Sequence, residues 1–128
     1  MWSYLTNRKY QSWPLWPGKG KLYSGTEPHG MLLTAYVSPG AVNVVSEKRG
    51  PFPAGSFVIK ENYMPDSTLA AVTVMYKVEG YNAEHNDWWW MKRLADGTVE
   101  ASGKVQGCQG CHGAKKANDY IMTSSITK

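Results

Sequence analysis

Residues 69–78 read LAAVTVMYKV. Val72, Thr73 and Val74 place three β-branched side chains in a row. Such residues are stiff at χ1 and suit a pleated surface better than a helix. Pro65-Asp66-Ser67 makes a turn before the stretch, and the polar loop EGYNAEHN (79–86) follows it. The ten residues therefore predict a bounded strand. Upstream, SFVIKENY (56–63) also reads as a strand, with Phe57 and Ile59 on one face and Val58 and Lys60 on the other. The turn between the two stretches predicts a hairpin.

Further out, MLLTAYV (31–37) predicts a strand closed by Ser38-Pro39-Gly40. DWWWMKRL (87–94) and TVEASGKV (98–105) flank Asp96-Gly97, the strongest short hairpin signal in the chain. The first dozen residues suit a short helix that SWPLWPG (12–18) stops with two prolines. Gly18 to Gly30 reads as a loop, AVNVVSEKRG (41–50) as one short helical or extended piece, and GAKKANDY (113–120) as one or two helical turns. The expected fold is mainly β: an antiparallel sheet of about five strands with short terminal helices, in a single domain over residues 1–128.

Composition agrees. Apolar residues make up 42% of the 128 and charged residues 19%, an ordinary globular balance. Six Trp and eight Tyr stand against two Phe, and such rings can line a planar cofactor. The formal charge is +4, but Lys19, Lys21, Lys48 and Arg49 form small local groups, which predicts a solvated surface and no nucleic-acid stripe. No stretch approaches the ~20 apolar residues of a membrane span. MWSYLTNRKYQSW (1–13) lacks the apolar region of a signal peptide.

The chain's only two cysteines fall in VQGCQGCHG (105–113), and one of its three histidines follows the second directly. A structural zinc site needs four ligands and would have to recruit His29 or His85. A thioredoxin-type pair belongs in a β-α-β context and has no use for the adjoining His. A disulfide across three residues closes a tiny loop and gains little. C-x-x-C-H as a c-type haem attachment accounts for all three residues. Cys108 and Cys111 would form thioethers to the vinyl groups, and His112 would be the axial iron ligand. Gly107, Gly110 and Gly113 would let the backbone approach the macrocycle. Zinc and redox chemistry remain the alternatives. Covalent haem implies maturation outside the cytoplasmic membrane, so a periplasmic protein is expected, the sequence being its mature fragment without the leader.

Other residues are candidates for the iron's second side. His29 either ligates as a sixth ligand or bonds to backbone in its loop, and His85 is expected to face solvent. Met75 shares a strand face with Leu69, Ala71, Thr73 and Lys77. It would cap the haem as an apolar group or bind iron through sulfur. Lys77 is a candidate distal lysine or propionate partner, unless simply exposed. Trp88 and Trp90 are expected to line the core while Trp89 points the other way.

With C-x-x-C-H at the C-terminal end of a strand-rich chain, the sequence resembles the cytochrome P-460 family, which includes the β-sheet c′-beta cytochromes. The matching stretches are PHGMLLTAYVSPGA, FPAGSFVIKENY, LAAVTVMYKVEGYN, NDWWWMKR and GCQGCHGAKKANDYIMTS, covering roughly residues 28 to 125; residues 1–27 match weakly. The resemblance implies a mono-haem c domain, often a homodimer, with haem packed against the sheet and an open distal side. Some members oxidise hydroxylamine, and others bind nitric oxide or carbon monoxide. In the oxidising members a lysine in a G-T-x-x-x-K-E strand motif is joined to the porphyrin, and GSFVIKE puts Lys60 at that position. Those members also carry a distal carboxylate on the next strand, which here has none; the nearest acids are Asp66, Glu79 and Glu84. Their distal arginine corresponds to Leu33. The implied function is binding or handling of nitric oxide or a related small nitrogen species. The alternatives are hydroxylamine or nitric oxide redox catalysis with Lys60 bonded to haem, or electron transfer with a six-coordinate iron. The redox partner stays open.

Overall fold

The structure is a computed structural model that describes residues 1–24, 32–124 and 126. Six strands form one antiparallel sheet in chain order: β1 (Tyr23–Ser24), β2 (Leu32–Val37), β3 (Phe57–Tyr63), β4 (Leu69–Lys77), β5 (Trp88–Leu94) and β6 (Val99–Gly103). Three short helices accompany them: α1 (Trp2–Asn7), α2 (Val42–Ser46) and α3 (Gln106–His112). The five expected strands are present, and the fold is mainly β. The sixth, β1, lies within the segment that reads as a loop. Its two residues pair with Leu33 and Leu32, so it owes its form to β2 and carries no periodicity of its own. AVNVVSEKRG resolves in favour of a helix over its middle, α2. The α3 helix has no counterpart in the sequence reading, because two glycines in seven residues disfavour helix locally.

The sheet is covered on both sides, so its strands feed two cores. Val58, Met75, Trp88 and Trp90 belong to one, closed by Trp16, Phe52, Tyr120 and Ile121. Phe57, Ile59, Val72, Val74 and Met91 belong to the other, closed by Leu5 and Tyr10, with Trp89 packed against it. The tryptophan run thus divides as alternation requires. Leu69 does not follow it. Asn62 pairs with Ala71 and Tyr63 with Leu69, which leaves Ala70 as an extra residue. This β-bulge turns Leu69 into the second core, away from the face of Ala71, Thr73, Met75 and Lys77.

Glu61 faces the second core and is 2% exposed. A buried carboxylate is costly unless hydrogen-bonded. Here Tyr10 Oη donates to it at 2.7 Å, Gln11 Nε2 at 2.6 Å and Tyr63 Oη at 2.6 Å. Burial foremost, then the bond to Glu61, pushes the Tyr10 and Tyr63 phenols above their ordinary range, which keeps both as donors. The carboxylate therefore clamps residues 10 and 11 to the sheet. Glu61→Ala should lower unfolding stability by about 2 kcal/mol, since buried donors lose their acceptor. Urea denaturation measures it; a loss under about 0.5 kcal/mol, the scatter of ordinary surface changes, would show no clamp.

Candidate functional site

The first face of the sheet does not close on itself beside α3. A cavity of about 330 Å³ remains between them. β3 contributes Val58, Lys60 and Asn62; β4 contributes Ala71, Thr73 and Met75; β5 contributes Trp90 and Lys92. Register explains the convergence: Val58 pairs with Met75, Lys60 with Thr73 and Asn62 with Ala71, while Met75 and Thr73 pair across to Trp90 and Lys92. Side chains paired in this way share a face. From α3 come Gly107, Cys108, Cys111 and His112. Helical spacing of three and four puts both thiols and the imidazole on one side of α3.

The two thiols are unpaired and differently placed. Cys108 is half-buried and Cys111 exposed. Burial pushes the Cys108 thiol above its ordinary range, with the Lys92 charge opposing. His112 is buried, with its ring 4.9 Å from that of Trp90. Its Nδ1 lies 2.7 Å from the Tyr120 carbonyl, which can only accept, so Nδ1 carries the proton and Nε2 the lone pair. Burial is the main force holding the imidazole below its ordinary pKa; the Tyr120 carbonyl opposes and the Lys60 charge adds. A neutral imidazole of fixed tautomer is the form that binds a metal.

Lys60 is 8% exposed, with its amine pushed down to about 8 by burial first and by the Lys19 charge second. Among the described residues its Nζ makes no ion pair or hydrogen bond. Met75 lines the same wall as part of the apolar core. Lys77 lies on the same face but beyond the cavity, where it pairs with Asp119 at 2.6 Å and donates to the Asn86 carbonyl at 2.8 Å. His85 is half-buried in its loop, with its Nδ1 2.8 Å from Tyr120 Oη. Leu33 pairs with Asn62 and is buried next to the cavity wall. His29 lies outside the described residues.

Asp66, Glu79 and Glu84 do not line the cavity, but Glu100 does, with its carboxylate 3.3 Å from Lys92 Nζ. The pairing of Lys92 with Ala101 and of Arg93 with Val99 leaves Glu100 as the extra residue of a bulge. No alternation pattern marks such a residue, so the sequence holds no signal for it. Asn62 is absent from the sequence-based candidates, although alternation along the strand puts it on the face of Val58 and Lys60.

Among the described residues, no three His, Cys, Asp or Glu side chains converge closely enough to hold a metal ion between them. Zinc in a thiolate site would require that convergence. A porphyrin would not: the thiols would bond its edge and the imidazole alone would meet its metal. Trp90, on the cavity wall, keeps its indole Nε1–H buried with no partner among the described residues, a donor that the protein alone leaves unsatisfied. The residues present therefore fit haem.

Sheet, helix-borne thiols and buried imidazole together define a site of the haem-binding class. A family model described as Cytochrome P460 matches residues 8–123, nearly the whole chain, including much of the N-terminal segment that the quoted stretches leave out. The chain belongs to the cytochrome P460 family and is, on that ground, a haem-binding cytochrome. Among curated proteins, none matches it. No described helix is long and apolar enough to cross a membrane.

Burial and the raised pKa both reduce the thiolate available at Cys108. In haem-free protein at neutral pH, iodoacetamide should label Cys111 roughly tenfold faster than Cys108. Peptide mass spectrometry over a time course reads the two rates, and equal rates would contradict the described seating of α3.

Proposed function

We propose that this protein is a periplasmic mono-haem c cytochrome that binds or handles nitric oxide or a related small nitrogen species. Cys108 and Cys111 carry the haem as thioethers and His112 is its axial ligand. The observation that carries the reading is the cavity itself: two free thiols and a buried, tautomer-fixed imidazole open on one mainly apolar sheet face. Bound haem supplies an iron that takes up a small ligand and exchanges electrons with it. The chain supplies the surroundings. Val58, Ala71 and Met75 exclude water, and Trp90 Nε1 offers a hydrogen bond. Such a wall suits a diatomic gas better than a strongly polar substrate.

One observation favours the hydroxylamine-oxidising alternative. Lys60 is buried on the cavity wall with its amine pushed down to about 8, so a larger fraction is neutral and nucleophilic than in an ordinary lysine. Bonding to the porphyrin edge would make it part of the chemistry. Glu100, at the cavity, is the carboxylate available as proton acceptor.

The test is expression with an export leader and c-type maturation, followed by optical spectra and intact mass under denaturing conditions. One haem should remain covalently attached, and Cys108→Ala/Cys111→Ala should lose at least roughly tenfold of it, because each thioether needs its own thiolate. Absence of covalent haem from the wild-type protein would overturn the reading. A five-coordinate high-spin iron supports ligand binding, whereas a low-spin six-coordinate iron turns the case to electron transfer. A red-shifted ferrous Soret band that reverts in Lys60→Arg would establish the cross-linked alternative.

A further inference from the structure

Asp119 and Tyr120 both hold left-handed backbone, with φ of 53° and 65°. Neither is glycine, and two such residues in succession persist only where their surroundings over-determine them. The Tyr120 N–H donates to the Lys115 carbonyl at 2.9 Å and its ring is buried in the first core, but the side chain that gathers most of the restraints is Asp119. Its Oδ1 takes Lys77 Nζ at 2.6 Å and Asn86 Nδ2 at 3.0 Å, and its Oδ2 takes the Phe52 N–H at 2.8 Å. Its backbone carbonyl accepts the Trp88 indole N–H at 2.9 Å. Lys77 is fixed in turn by the Asn86 carbonyl at 2.8 Å and by the Trp88 ring, whose centroid is 4.5 Å from Nζ. One peptide further on, the Tyr120 carbonyl receives His112 Nδ1–H at 2.7 Å.

We infer that the buried Lys77–Asp119 pair is a positioning device for the axial ligand: it fixes the Asp119–Tyr120 backbone so that the Tyr120 carbonyl holds His112 and sets how strongly the imidazole donates to iron. The inference rests on the haem reading above. Lys77 and Asp119 do not touch iron or porphyrin; they act through Tyr120 and His112. The pair's side chains are 8% and 1% exposed. A buried ion pair is a weak source of stability, because desolvation offsets most of its attraction, and an apolar pair of similar volume often does as well. What an apolar pair lacks is the set of directed bonds that holds this backbone in a left-handed turn. A carbonyl acceptor at Nδ1–H raises the basicity of the other ring nitrogen, and its alignment decides by how much. Lys77 is the last residue of β4 and Trp88 the first of β5, and the two pair, so the device ties the proximal ligand to the joined ends of two inner strands.

The experiment uses haem-loaded protein and three variants: Lys77→Met, Asp119→Asn and Lys77→Arg. The readouts are the ferrous iron–histidine stretching band in resonance Raman spectra and the reduction potential. Lys77→Met and Asp119→Asn should move the band to lower frequency and the potential upward, as a slackened Nδ1–H bond leaves a weaker donor. Lys77→Arg, which keeps a cation against Asp119, should stay nearer the wild type on both. Trp88→Phe, which removes the indole bond to the Asp119 carbonyl and leaves a smaller ring beside Lys77 with the ion pair kept, should shift both readouts in the same direction by less, and it serves if Lys77→Met fails to fold. Variants that load haem with band and potential unchanged would overturn the device while leaving the haem reading intact. Wild-type protein without covalent haem would overturn both.

Discussion

The pairing of β3 with β4 governs the rest of the molecule. Seven residues of β3 meet nine of β4, with both faces of the pair buried, so every residue is committed to one core or the other. A slip of β3 by one position would exchange its two sets: Lys60 would enter the aromatic core of Tyr10 and Tyr36, and Glu61 would enter the cavity. The cavity's sheet wall and the clamp on the N-terminal segment are thus two sides of one register. Adjacent residues of opposite charge, Lys60 and Glu61, mark the two faces. Each would be severely misplaced on the other side, which makes the register specific as well as stable.

The central strands are legible in the sequence because their signal is local. LAAVTVMYKV, SFVIKENY and the tryptophan run carry alternation and β-branching within themselves, and Asp96-Gly97 names its own turn. Cys108, Cys111 and His112 are legible because chemistry requires them at fixed spacing. What stays hidden depends on partners far away in sequence. β1 exists through Leu32 and Leu33, and α3 forms from a glycine-rich segment packed against the sheet. Leu69 changes face because of a bulge at Ala70, and Glu100 reaches the cavity because of another. A bulge breaks the very alternation by which faces are assigned. Lys77 falls on the face that alternation gives it, yet its partner Asp119 is 42 residues away and carries no pattern that points back to it.

Three buried polar groups away from the cavity's sheet wall are each bound to something specific. Glu61 has three side-chain donors, Asp119 four counting its carbonyl, and His112 an acceptor that fixes its tautomer. Buried polar networks rigidify when fully satisfied, and the ones here join loops to the sheet at the places where the backbone is least regular. Asn86, in left-handed backbone itself, bonds Asp119, so the β4–β5 loop and the C-terminal segment brace each other. After α3 a kinked 3₁₀ segment (Gly113–Asn118), the helical turns expected there, leads into irregular backbone, and these bonds help hold that backbone behind His112.

Lys60 and Lys77 make the contrast that matters most for function. Both are lysines on the same sheet face, 8% and 6% exposed. Lys77 has an anion, a carbonyl and an aromatic ring around its ammonium, and desolvation is offset. Lys60 has none of these among the described residues, and its amine falls to about 8. Folding alone would favour a hydrophobic residue there, because a buried amine with no partner among the described residues is costly and Val58, Ala71 and Met75 around the same cavity are apolar. A residue that costs stability at the wall of a cavity is explained by what the cavity holds. In the proposed haem cytochrome that role would be an amine facing the prosthetic group that gives up its proton more readily than an ordinary lysine, a hydrogen-bond donor to a small ligand or, once deprotonated, a nucleophile toward the porphyrin edge.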